Sequence, residues 1–149
     1  MKTHKSISLL LLLLVVTAVV SIIHLSTRTA VDDGSLLVLH NGTKTVIDIG
    51  DLKLETVRGT RVNGKGEYID VNAEGIALKS LLDSMMISAE SKVTVISDDS
   101  YKAEISEDEI KGGIGAFLVI DGENELRLMV FGDSDSKRSV SDVTEIVVE

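Results

Sequence analysis

The sequence predicts an α+β domain, mainly β, behind one N-terminal hydrophobic helix. Three observations carry this prediction. Short runs of alternating apolar and polar residues recur along the chain, separated by turn signals such as Asn41-Gly42, Asp98-Asp99-Ser100 and Asp121-Gly122. One clear stretch places its apolar residues at helical spacing, namely Ile76, Leu78, Leu81, Leu82 and Met85. The strands follow one another as hairpin-linked runs instead of alternating with helices, which favours α+β over a doubly wound sheet.

Lys2, His4 and Lys5 precede an apolar run from Ile7 to Leu25, broken only by Ser8, Thr17 and Ser21. Nineteen helical residues would span roughly 28 Å, close to the hydrocarbon core of a bilayer. Residues 1–30 are therefore expected to be a membrane anchor or a signal peptide. A cleaved signal peptide needs small residues before the cut, and Ser21 with Val19 or Thr29 with Thr27 serve weakly. An uncleaved single span fits the length. Lys2 and Lys5 against Arg28 place the N-terminus in the cytoplasm. On either reading the rest of the chain lies outside the cytoplasm: tethered to the cell membrane if uncleaved, secreted if cleaved.

Residues 31–35 read as a polar linker, so the domain is expected over 36–149. Leu36 to His40 reads as a buried strand, Asn41-Gly42 as a hairpin turn, and Thr45 to Ile49 as the returning strand. Asn41-Gly42-Thr43 also matches a glycosylation sequon, although the hairpin accounts for Asn-Gly by itself. Leu52 to Val57 alternates as a further strand. Gly59, Asn63-Gly64 and Gly66 suggest a flexible connection before a short strand at Tyr68 to Val71. After the helix, Lys92 to Ile96 and Tyr101 to Ile105 form a predicted hairpin. Ser106-Glu107-Asp108-Glu109 has capping-box spacing for a single helical turn, which Gly112-Gly113 ends. Ala116 to Ile120 and Leu126 to Phe131 are apolar strands, and Val143 to Val148 is the last.

Charge narrows the partners. From Val31 onward, 12 basic residues face all 24 acidic ones, a net charge of −12. Such a domain disfavours nucleic acid, whose binding depends on neutralising phosphates with Lys and Arg, and does not adhere broadly to anionic membranes. Cysteine is absent, so disulfides, thiolate metal sites and a cysteine nucleophile are excluded. A core from about 115 residues needs no disulfides.

Motifs for chemistry are sparse. Of three histidines, His4 and His24 lie in or beside the hydrophobic segment, and His40 reads as a turn residue at a strand end. Asp133-Ser134-Asp135 opens like a calcium loop but has Arg138 and Thr144 where the loop needs Gly and Glu. Asp98-Asp99 and Glu107-Asp108-Glu109 read as solvated turns. No Gly-x-Ser-x-Gly elbow occurs, and Gly112-Gly113-Ile114-Gly115 has the wrong spacing for a phosphate loop. Lys137-Arg138 is the remaining candidate. After Gly132, free N–H groups beside two cations could hold a phosphate or carboxylate; alternatively, Asp133 and Asp135 neutralise both cations in a solvated turn.

Four segments together resemble a known family. Gly75-Ile76-Ala77-Leu78-Lys79-Ser80-Leu81-Leu82 is similar to the Gly-Val-Pro-Leu-x-x-Leu-Leu segment of the molybdopterin-binding domain of sulfite-oxidase-type oxidoreductases. Val95 to Tyr101 resembles its strand followed by Ser-x-Asp-Gly-Tyr, Leu126 to Gly132 its Leu-Arg-Leu-Val-x-Pro-Gly strand, and Ser136 to Ile146 its closing Ser-x-Lys-Trp element. The order and spacing agree from about Leu36 to Val148. The resemblance implies that fold and a molybdopterin cofactor. It also implies that basic residues of the closing element contact the pterin phosphate, which carries over to Lys137 and with it Arg138. Arg127, and Arg58 or Arg61 from the Gly-rich connection, are the further cations expected near that phosphate. The family's aromatic after the basic residue is missing, since Ser139 and Val140 follow. The family holds molybdenum through a cysteine, so that ligation is impossible here. The matching region, Arg58 to Gly66, is short and Gly-rich.

The expected function is therefore a membrane-tethered or secreted ligand-binding or interaction module that performs no catalysis and contains a small pocket. The alternatives are a molybdopterin-dependent oxidoreductase, or a subunit of one, binding a phosphate-bearing cofactor, and a structural accessory to a membrane complex with a protein partner.

Overall fold

The structure, a computed structural model, describes Val15, Thr17 and residues 34–88, 92–111, 115–122 and 125–149. The chain divides into two units, Met1–Ala30 and Val31–Glu149. Among the described residues no helix is long and apolar enough to cross a membrane. The anchor or signal peptide expected at Ile7 to Leu25 lies outside the described residues apart from Val15 and Thr17, and so do the 31–33 part of the linker and Gly112-Gly113.

The domain is mainly β, with two sheets. One has five strands in the order β2 (Thr43–Asp48), β1 (Ser35–His40), β9 (Val143–Val148), β5 (Lys92–Ser97) and β6 (Lys102–Ser106), and the other has four in the order β3 (Glu55–Val62), β4 (Tyr68–Ala77), β7 (Ala116–Ile120) and β8 (Leu126–Val130). β1 (Ser35–His40) and β2 (Thr43–Asp48) form the predicted hairpin. Asn41 and Gly42 both adopt positive φ, 50° and 76°, as a two-residue turn between right-twisted strands requires. Ile49–Asp51 then forms a 3-10 turn capped by Asp48, whose Oδ1 accepts from the Gly50 N–H at 2.8 Å.

The next segment departs from the sequence prediction. The strand expected at Leu52 to Val57 begins only at Glu55, and β3 (Glu55–Val62) continues through the residues expected to be a flexible connection. Asn63 makes the turn compact: its Oδ1 accepts the N–H groups of Lys65 and Glu67, both at 2.9 Å. The chain then returns as β4 (Tyr68–Ala77), ten residues where a short strand was predicted.

Gly59 stays inside β3 because it faces an aromatic ring. A Cβ there would stand 2.7 Å from Cε2 of Phe131, which follows β8. β3 and β8 are the two edges of their sheet, so the sheet curls until its edges approach. A small second cluster of Val57, Val119 and Met129 fills that concavity, and the rings of Phe117 and Phe131 lie 5.3 Å apart beside it.

Ile76 was expected to open the helix but belongs to β4, where Gly75–Ala77 pair with Val119, Leu118 and Phe117 of β7 (Ala116–Ile120). Ladder bonding to an adjacent strand outweighs helical spacing there. Helix α1 (Leu78–Ser84) is correspondingly shorter. It ends in a Schellman arrangement: the Ile87 N–H donates to Leu82 O and the Met86 N–H to Asp83 O, both at 3.0 Å. Met86 occupies the left-handed position at φ 58°.

β5 (Lys92–Ser97) and β6 (Lys102–Ser106) form the second predicted hairpin. Helix α2 (Glu107–Lys111) starts with the capping box read from the sequence, Glu109 Oε2 accepting from the Ser106 N–H at 2.9 Å. β7 and β8 (Leu126–Val130) pair across Asp121-Gly122. β9 (Val143–Val148) enters between β1 and β5, antiparallel to β5 and parallel to β1, and so joins the first strand to the last. Both sheets and α1 contribute to one core that includes Leu36, Leu78, Leu81, Leu118, Leu128 and Ile146.

Candidate functional site

The Lys137-Arg138 turn lies in the connection from β8 to β9. Its backbone is pinned on two sides. Val140 exchanges hydrogen bonds with Leu128 at 2.8 and 3.2 Å, and the Tyr101 hydroxyl donates to the Lys137 carbonyl at 2.7 Å. Gly132 turns the chain at φ 88°, as the sequence suggested. The N–H groups and cations that could have met an anion are nevertheless engaged. The Lys137 N–H donates to Asp135 Oδ1 at 2.9 Å, and its ammonium pairs with Oδ2 of the same carboxylate at 2.9 Å. Arg138 is held more completely. Its Nε and one terminal nitrogen grip both oxygens of Asp133, and the other terminal nitrogen donates to Glu109 of α2 at 2.6 Å.

The electrostatics follow from that geometry. Asp133 raises the Arg138 pKa further above its ordinary value, against the opposing effect of burial, and Glu109 adds to the rise. Burial would push the Glu109 carboxyl up, but the Ser106 backbone N–H and the Arg138 guanidinium bring it below the usual carboxylate range. The Lys137 backbone N–H, with its ammonium, lowers Asp135.

These residues do not fit the pterin phosphate that the resemblance implies. Arg138 has a carboxylate on each donor edge, and Asp133, Asp135 and Glu109 would repel a dianion. The same contacts answer the calcium reading, since Asp133 and Asp135 are bound by Arg138 and Lys137. Among the described residues no three His, Cys, Asp or Glu side chains are grouped to hold a metal ion. His40 sits at the end of β1 against its neighbour Asn41, its Nε2 3.1 Å from the Asn41 amide nitrogen.

The other two candidate cations stand elsewhere. Arg127, on β8, forms an ion pair through Nε with Asp121 at the end of β7. Arg58, on β3, lies opposite Asn72 of β4 and donates to its Oδ1 at 3.2 Å. No hydrogen bond or ion pair joins any of the four to another among the described residues.

Arg58 alone of the four lines a cleft of about 830 Å³. Its walls are α1, the Gly75–Ala77 end of β4, the start of β3 and the segment from Ile47 to Lys53. Ile47, Leu52 and Met85, each only partly buried, give it apolar surface; Thr56 and Ser80 supply hydroxyls; Asp51, Lys53, Glu55 and Arg58 charge the rim. The pocket expected to be small is in the size range of small-molecule sites. Gly75, in its lining, lets β4 approach β7 closely, since a Cβ there would stand 2.5 Å from the Leu118 carbonyl oxygen. The sequence reading missed Lys53, Thr56, Ser80 and Phe117, because no local spacing connects residues brought together from three separate segments. Gly75-Ile76-Ala77 was the available signal, an extended glycine-bearing entry directly before a helix.

No family model matches the chain, and no curated protein matches it.

Proposed function

We propose that this protein is an extracytoplasmic ligand-binding module with a sulfite-oxidase-type fold, tethered by its N-terminal hydrophobic segment or released by cleavage, that binds its ligand without redox chemistry. The observation that carries the reading is the cleft between α1 and β3, with its apolar surface and charged rim. The neutralised Lys137-Arg138 turn supports it, since the closing element is committed to internal ion pairs. The absence of cysteine supports the same reading. The fold assignment rests on the four segments quoted above. They lie on the β4–α1 junction, the β5–β6 hairpin, β8 and the closing β9 element, in that order.

Native mass spectrometry of the full chain purified from its own source tests the proposal. A co-purifying small molecule is expected in the parent and lost in Ser80→Trp, which fills the cleft from α1 while the melting temperature is retained. Stoichiometric molybdenum and pterin in the parent, or the same bound mass in Ser80→Trp, would overturn it.

A further inference from the structure

We infer that the cleft takes an amphipathic monoanion: an apolar body on Ile47, Leu52 and Met85, with one negative head group held by Arg58 and Lys53. This rests on the cleft being the ligand site proposed above and adds the ligand's chemistry.

The domain has twice as many acids as bases, so carboxylates are abundant near its cations. Among the described residues six of the twelve cations pair with one: Lys79, Lys92, Lys111, Arg127, Lys137 and Arg138. Lys53 and Arg58 make no ion pair among the described residues, and unlike Arg61, Lys65 and Lys102, which also make none there, both line the cleft. Arg58 uses Nε on the neutral Asn72 amide, and its terminal nitrogens meet no acceptor among the described residues. A guanidinium left with two donors at the rim of an apolar cleft is suited to a planar or tetrahedral oxyanion.

The lining then restricts the rest of the ligand. An inorganic anion would leave the Ile47, Leu52 and Met85 surfaces in water, whereas an uncharged apolar molecule would leave the Arg58 terminal nitrogens without an acceptor. Asp51 and Glu55 stand on the same rim and oppose a second negative charge. Together these select a carboxylate, sulfonate or phosphodiester over a phosphate monoester. A free organic acid and the head group of an anionic lipid share that chemistry.

Calorimetry on the full chain in phosphatidylcholine nanodiscs, with empty discs as the control, provides the test. The probes are 4-phenylbutyrate, 4-phenylbutanol and 4-phenylbutylamine, which share one apolar body. The acid should bind about tenfold more tightly than the alcohol or the amine. Arg58→Ala should remove that margin, Arg58→Lys should keep part of it, and Glu55→Gln should tighten the acid about threefold. Equal binding of acid and alcohol, or an unchanged acid affinity in Arg58→Ala, overturns the inference. If acid and alcohol bind equally and Ser80→Trp abolishes both, the ligand-site reading survives and only the anion preference fails. If none of the three probes binds, or Ser80→Trp changes nothing, both fail. The source is distinguished by adding phosphatidylglycerol to the discs. Weaker phenylbutyrate binding in the parent but not in Arg58→Ala identifies a lipid head group, and unchanged binding identifies a free acid.

Discussion

The closing turn and the α1–β3 cleft each present two cations, and they treat them oppositely. At the turn, Lys137 and Arg138 are enclosed by Asp133, Asp135 and Glu109, so their charge stabilises a loop. At the cleft, Lys53 and Arg58 stand beside an apolar surface and have no carboxylate partner among the described residues. Adjacent basic residues therefore mark a site poorly. What distinguishes the two regions is whether the guanidinium donors are already occupied, and carboxylates from elements distant in sequence decide that.

The largest expected effect breaks the cleft itself. Gly75→Ala places a methyl group against the Leu118 carbonyl oxygen, backbone that cannot step aside. It should cost about 3 kcal/mol in denaturant unfolding and abolish probe binding. A variant as stable as the parent would show that β4 does not need this close approach.

A smaller effect separates the two regions. Arg138→Ala leaves Glu109 and Asp133 partly buried without their cation and should cost about 2 kcal/mol, lowering the melting temperature by about 8 °C. It should leave phenylbutyrate affinity unchanged. Arg58→Ala should do the reverse, and a matched loss of stability in both variants would erase the distinction.

The Glu109 contact also sets a pH dependence. Its folded-state pKa is depressed, so its contribution is complete above the unfolded carboxylate value of about 4.3 and is lost as the pH falls through the folded value. The stability gap between the parent and Glu109→Gln should accordingly be widest near neutrality and close in acid. A gap that is constant with pH in thermal melts would remove the ion pair as its cause.

The smallest effect sharpens the comparison from the helix side. Met86 holds a left-handed conformation at the end of α1, where glycine carries no Cβ penalty. Met86→Gly should raise stability by about 0.5 kcal/mol and leave probe affinity unchanged. A loss of stability would mean that the side chain makes a contact outweighing that strain.

Local chemistry made much of the fold legible. Asn41-Gly42 specified its turn, Ser106 and Glu109 specified the start of α2, and the alternation of Val143 to Val148 marked β9, because each signal lies within a few residues of the structure it dictates. The middle of the chain was harder to read. Gly59 suggested a loop but is a strand residue facing Phe131, and Ile76 followed a helical period but pairs with Leu118. At both positions a partner more than forty residues away outweighs local propensity. The candidate cations were visible in the sequence, but their environments were not.

By itself, then, the sequence determined the mainly β class, most of the hairpins, the acidic surface and the exclusion of cysteine chemistry, since these depend on composition and short-range pattern. Tertiary structure alone decided that the first strand lies parallel to the last, that one sheet curls until Gly59 meets Phe131, and that Arg138 is neutralised while Arg58 is not. Each of these depends on contacts between residues far apart in the chain. Their free energy exists only once the chain has closed, so no local spacing can encode it.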